Sequence, residues 1–161
     1  VLAQDPNNRD ALYNQANAYL ALQDGANLVS AAQKLLVLEP LNENDYSLLI
    51  QGQKWVGNTD GVFQAVVARE ALTAKVKVDE FKRGAQGVTL TATATGREAR
   101  DENNKIIAPK ALTLAVEFLD QAGNVVTTQD VAVKPLAVGE AQVLTVTGSG
   151  QGIRNWRYKV K

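Results

Sequence analysis

A two-part α + β fold is predicted: antiparallel helix pairs over residues 1–72, then an antiparallel β-sandwich over residues 73–161. Three observations predict it. Apolar residues recur at helical spacing up to about Leu72 and at period 2 beyond it. Pro6 and Pro40, 34 residues apart, frame two segments of helix length. Charge divides at the same place: residues 1–74 hold 4 Lys/Arg and 8 Asp/Glu, residues 75–161 hold 13 and 9, so net −4 is followed by +4.

After Pro6, "NNRDALYNQANAYLAL" opens with turn and capping residues and then places Leu12, Ala16, Tyr19 and Leu20 on one helical face. "QDGAN" breaks that helix. "LVSAAQKLLVLEP" forms the next, with Leu28, Ala32, Leu35 and Leu36 on its face and Pro40 as its stop. The plan then repeats: "NENDYSLLIQGQKWV", the breaker "GNTDG", and "VFQAVVAREAL". This two-helix unit with a 34-residue period resembles the tetratricopeptide repeat. Leu12, Ala16, Tyr19, Leu28, Ala32, Leu35 and Pro40 fall on the family's apolar, small and terminal positions; Tyr46, Ile50, Gln53, Val62 and Val66 stand in the second copy. Ile50 and Gln53 depart from the pattern, as suits a terminal repeat. The expected organisation is therefore the tail of one repeat, a full repeat over 7–40 and a terminal repeat over 41–72. "VLAQDP" reads as the last turn of a preceding unit, so a longer solenoid is expected, with the sandwich as its cap.

Beyond Leu72 six strands are expected, near 75–82, 87–95, 111–119, 124–133, 140–147 and 153–160. In "GVTLTATAT", Val88, Leu90, Ala92 and Ala94 face one way and four threonines the other. Leu112, Leu114, Val116 and Phe118 point inward, as do Trp156, Tyr158 and Val160. Strands at regular spacing, divided by turn clusters and with no helix between them, make a sandwich. "VEFLDQAGNVV" followed by "PLAVGEAQVLTV" resembles the FxLYD family of immunoglobulin-like bacterial envelope domains. Val116, Phe118, Leu119 and Asp120 occupy its signature positions, although its defining Phe and Tyr are absent; Gly123, Val125, Leu136, Gly139 and Glu140 follow in step. The resemblance implies an accessory or binding module and an extracytoplasmic location.

Composition narrows the chemistry. With no His the usual general base and commonest metal ligand are missing, and with no Cys there is neither disulfide nor thiolate. The net +4 over 87 residues is too mild to indicate nucleic acid. No apolar run approaches the ~18 residues of a bilayer span. The chain holds no Met, and its start at Val1 is expected to fall within a longer protein.

Several stretches invite a chemical reading and reduce to plainer ones. "TGSGQG" (147–152) joins two strands and leads into no helix, so it is expected to be a hairpin loop, not a phosphate cradle. Ser149 has no His or Cys to activate it. "REARDENNK" (97–105) is rich in oxygen ligands but lacks calcium-loop spacing, and is expected to be a solvated loop. Asp120 is expected to form a turn. Arg154, Arg157, Lys159 and Lys161 make a basic strip on the last strand, read as edge protection or as a site for an anionic ligand.

The resemblance to the helical repeat implies a concave surface, on which Tyr13, Asn14, Asn17, Leu20, Asn44, Gln51 and Trp55 are the candidate partner-binding residues, beside Asp10, Ala21, Ser47 and Lys54. Asn and Gln there would bond an extended peptide's backbone and Tyr or Trp would stack on it; Trp55 could equally pack against the sandwich or a neighbouring helix. The expected function is a non-enzymatic protein-interaction scaffold without cofactor or metal. A sandwich that binds envelope glycan or anionic polymer through Arg154, Arg157 and Lys159 is the alternative.

Overall fold

The computed structural model describes residues 1–161. Four helices, α1 (Arg9–Ala21), α2 (Gly25–Leu38), α3 (Glu43–Trp55) and α4 (Thr59–Glu70), precede eight strands. These are β1 (Ala74–Gly84), β2 (Gly87–Gly96), β3 (Ala99–Arg100), β4 (Ile106–Ile107), β5 (Leu112–Leu119), β6 (Val125–Val133), β7 (Ala141–Gly148) and β8 (Asn155–Val160). The chain is mixed α + β, its strands pair antiparallel, and no sheet closes on itself. No helix is long and apolar enough to cross a membrane.

Each helix begins at an Asn or Asp. The side chains of Asn8, Asp24, Asn42 and Asn58 accept hydrogen bonds from the backbone N–H of Ala11, Asn27, Asn44 and Gly61. Such a cap is worth about 1 kcal/mol, because it serves a donor that the helix itself leaves unpaired. The expected apolar stripe is the helical core: Leu12, Ala16, Leu28, Ala31, Ala32, Leu35, Leu38 and Leu48 are buried together, while Leu36 is only half-buried.

α2 and α3 approach most closely where two glycines meet. A Cβ on Gly52 would lie 2.9 Å from Val29 Cγ2 and 3.1 Å from the Gly25 carbonyl oxygen. Gly52→Ala gains about 1 kcal/mol of helix propensity but forces two backbones apart. A net loss of about 1–2 kcal/mol is expected in urea denaturation; a variant as stable as the parent would show that the helices can slide.

The strands form two three-stranded sheets, in the order β1-β2-β7 and β6-β5-β8, and a small β3-β4 pair. The Val/Leu/Ala face of β2 is buried and the Thr face half-exposed, as the alternation predicts. Side chains from both three-stranded sheets meet in one apolar cluster, among them Val76, Leu90, Val116, Phe118, Leu144, Trp156 and Tyr158.

Three details differ from expectation. Val160 is 40% exposed, because at the end of β8 it meets an open apolar hollow beside Pro40, Leu72 and Leu112. The segment 147–152 is not a hairpin loop: β7 pairs with β2 and β8 with β5, so it carries the chain from one sheet to the other. The segment 97–105 is more ordered than a solvated loop. It contains β3, and Asp101 Oδ1 accepts from the N–H of both Asn103 and Lys105 at 2.9 Å. Arg97 turns inward, donating from Nη1 to the carbonyls of Arg69 and Leu72, with Glu43 and Glu70 each 3.5 Å away. It thereby adds a side-chain donor at the end of α4, where the Arg69 carbonyl also accepts from Leu72 N–H at 3.2 Å.

The helices cover the open side of the strand core, between edge strands β1 and β8. Leu41, from the α2–α3 turn, is 5% exposed and belongs to the strand core. Its N–H donates to Tyr158 Oη at 3.1 Å and its carbonyl accepts from Val76 N–H at 3.1 Å. One turn thus enters the core and borrows a bond from each flanking strand.

Candidate functional site

The edge of β1 that does not face β2 takes a single backbone bond, from Val76 to Leu41; beyond it no strand pairs. That edge borders a cleft of about 560 Å³ between β1, the start of α1 and the α2–α3 turn. Arg9, Tyr13, Glu39, Asn44, Lys77 and Asp79 are among its walls. A second hollow, about 420 Å³, shares Arg9, Val78 and Asp79 with it and continues along β1 to Arg83, Arg154 and Trp156. A channel bounded by an unpaired strand edge therefore runs past the beginning of α1. Within β1 the pairing register slips between Val78 and Glu80, and Asp79 at the slip accepts from Thr93 Oγ1 at 2.7 Å.

Behind the wall that Arg9 and Glu39 give the cleft lies a cluster of buried ionisable groups. Glu39 and Asp45 are both fully buried. Arg9 Nε donates to Glu39 Oε2, and its guanidinium carbon sits 5.6 Å from the centre of the Tyr13 ring. Glu39 Oε1 and both carboxylate oxygens of Asp45 have no hydrogen-bond donor. Burial and the neighbouring Glu39 charge push the Asp45 carboxyl up to about 7, against a smaller opposing pull from Arg9. Burial likewise raises Glu39, and Arg9 offsets part of that, as does the nearby side-chain amide of Asn42, which lies outside hydrogen-bond geometry to Oε1. Tyr158 is raised well beyond the usual phenol range by burial, although the bond from Leu41 N–H favours its anion. One arginine thus faces two acids in a dry site, and a proton on Asp45 is the lowest-cost way to balance the charge.

Of the seven residues expected on the concave surface, Tyr13 and Asn44 line this cleft. Asn14 and Asn17 are exposed on α1 away from it, as is Leu20 at 36% exposure, and Gln51 is half-buried on α3. Trp55 also lies off the cleft; its Cβ packs over Gly25 of α2, while the residue stays 37% exposed.

The basic strip divides. Arg157 Nε donates to Glu117 Oε2 and Lys159 Nζ to Glu117 Oε1 at 2.8 Å, across the β5–β8 pair. Those bonds hold Glu117 below its ordinary range despite some desolvation. Arg154 has no acidic partner and lies in the second hollow. Ser149 lines a shallow polar depression with Gln86 and Thr147. Asp120 is the expected turn former: its carboxylate accepts from the backbone and side-chain amides of Asn124 at 2.9 and 3.0 Å, which lowers its pKa.

Arg9, Glu39, Leu41 and Asp45 are not among the residues singled out from the sequence. A signal for Asp45 exists nonetheless: Asp45, Leu48 and Gly52 recur at i, i+3 and i+7, the buried face of α3. Glu39 carries the same mark: it follows Leu28, Ala32 and Leu35 at i+11, i+7 and i+4, on the buried face of α2.

No family model matches the chain, and no curated protein matches it. Among solved structures, a DUF1425 family member from Shewanella sp. pv-4 is similar over 55% of this chain and 76% of its own, at 10% identity and a TM-score of 0.39.

Proposed function

We propose that the chain is a non-enzymatic protein-interaction module that holds an extended peptide segment in the channel between the helices and β1. The observation that carries this reading is the unpaired edge of β1 lying along a cleft with Tyr13 and Asn44 in its walls. An added strand would take main-chain bonds from that edge, and the helical wall would supply side-chain selectivity.

The finer assignments belong to the same proposal. A tetratricopeptide-like repeat is supported by the caps, since Asn8 and Asn42, and likewise Asp24 and Asn58, recur at the 34-residue period. An immunoglobulin-like sandwich is supported by two three-stranded sheets sharing one core. The FxLYD-like features are the Asp120 turn and a second turn in which Gly139 takes φ 82° and Glu140 Oε2 accepts from Ala137 N–H at 3.0 Å. That resemblance favours a place outside the cytoplasm. The alternative, an anionic ligand on Arg154, Arg157 and Lys159, is weakened because Glu117 already engages two of the three.

Selection of a random peptide display library on the intact chain, followed by fluorescence anisotropy, tests the proposal. Asn44→Arg, which fills the cleft from an exposed position, is expected to weaken recovered peptides by about tenfold or more while leaving the melting temperature unchanged. Asn17→Ala with Trp55→Ala probes the outer helical surface. Peptides indifferent to Asn44→Arg but lost with the double variant would move the site to that surface; peptides indifferent to both would end the groove hypothesis.

A further inference from the structure

We infer that the segment held by this cleft carries a basic side chain, arginine or lysine, whose head group docks on Glu39, with Asp45 buried behind it as the second acid. The inference rests on the peptide-binding reading above and names the chemistry of its occupant.

The argument begins from donors and acceptors. Three buried carboxylate oxygens, Glu39 Oε1 and both of Asp45, have no donor. An unpaired buried acceptor is destabilising, more so when charged. Arg9 reaches only Glu39 Oε2 of the two carboxylates; its Nη1 faces Asp10 at 3.6 Å and its guanidinium lies by the Tyr13 ring. The deficit is one positive charge with several N–H donors. A proton supplies the charge and one bond; a guanidinium or ammonium supplies the charge and several.

The surrounding groups select the sign of the guest. From α1 come Arg9 and Asp10; from the α2–α3 turn, Glu39; from α3, Asp45, Glu43 and Tyr46; from β8, Tyr158. The facing wall on β1 carries Lys75, Lys77 and Asp79. Lys75 is bound to Glu43 at 2.8 Å, and both lysines are exposed, where an ion pair gains little. The acids are dry, so the same pair formed there is worth more. An anionic guest would add negative charge beside two acids that share one arginine, and a neutral one would bring no charge to offset them. Glu39 itself lines the cleft, and Arg9, about one-third exposed, holds its Oε2 and leaves Oε1 without a donor.

Proton and guest then compete, which makes the inference testable without knowing the natural partner. The probes are ethylguanidinium chloride and its uncharged isostere ethylurea, added to the intact chain while the carboxyl carbon of Asp45 is followed by NMR across pH. Ethylguanidinium is expected to lower the midpoint of the Asp45 titration and ethylurea to leave it unmoved. The effect should be reduced in Glu39→Gln, which keeps the Asp45 signal. Equal shifts from both probes, or none from either, would overturn the inference. Among peptides recovered on the cleft, those that bind should carry Arg or Lys, bind about tenfold tighter at pH 8 than at pH 6, and lose about as much when Arg becomes citrulline. Cleft-binding peptides without a basic residue and without pH dependence would refute the basic anchor while leaving the peptide site standing. Failure to recover any peptide there, with the NMR shift intact, would instead count against the peptide-binding reading.

Discussion

Replacing Leu41 by alanine is expected to cost about 3 kcal/mol and to lower the melting temperature by roughly 6–12 °C. Leu41 is one residue of a turn between two helices, yet it is 5% exposed and sits in the strand core with Val76, Trp156 and Tyr158. Alanine keeps both backbone bonds, to Tyr158 Oη and from Val76 N–H, so the change removes packing alone. The surrounding side chains belong to two sheets whose register is fixed by their ladders, which limits collapse into the space left behind. The turn is also where helices and strands exchange load, so the loss should be felt as coupling. In a Trp55→Phe background, where Trp156 of β8 alone reports on the strands, urea unfolding followed by helical circular dichroism and by tryptophan fluorescence should coincide; with Leu41→Ala added, the helical signal should move to lower urea first. Leu41→Met, which keeps the volume, should recover most of the loss. A cost below about 1 kcal/mol would show that the turn merely touches the sheets.

The repeating parts of this architecture were legible because period and punctuation are local. The Thr/Ala alternation of 87–95 and the stripe of Leu12, Ala16, Leu28 and Leu35 report which face is dry, and the structure buries those faces. What the sequence did not disclose is long-range. Nothing in "LEPLNEN" marks Leu41 as a strand-core residue, since its neighbours there come from positions such as 76 and 158. Arg97 reads as one more charge in a polar segment until α4 ends beside it. The cleft beside β1 was illegible for the same reason. The positions carried over by the resemblance describe a groove between helices, whereas the larger hollow here has a strand edge as one wall, and only Tyr13 and Asn44 reach it. Strand order is equally non-local: that β7 and β8 lie in different sheets cannot be read from the six residues between them.

Asp45→Asn is expected to raise stability above neutral pH and to remove most of the chain's loss of stability between acid and neutral conditions. The folded chain holds the Asp45 proton up to about pH 7, whereas the unfolded chain releases it near 3.8. Between those values the folded state binds more protons, so unfolding becomes easier as pH rises. The stabilisation is complete below the unfolded value and is lost as pH climbs through the folded one. A difference of about three units corresponds to at most about 4 kcal/mol across that window. Glu39, also raised by burial, adds in the same direction. Glu117 acts oppositely: held low by Lys159 and Arg157, it contributes above its ordinary range and loses that contribution as pH falls. Stability should therefore peak in mildly acidic solution and decline toward pH 8. An amide at position 45 cannot ionise, so it brings no charge into this buried site at any pH. Urea midpoints at pH 5 and pH 8 decide the matter. The parent should lose a large part of its stability over that interval and Asp45→Asn little, so that the two cross; parallel declines would place the titrating group elsewhere and return Asp45 to the role of an ordinary buried ion.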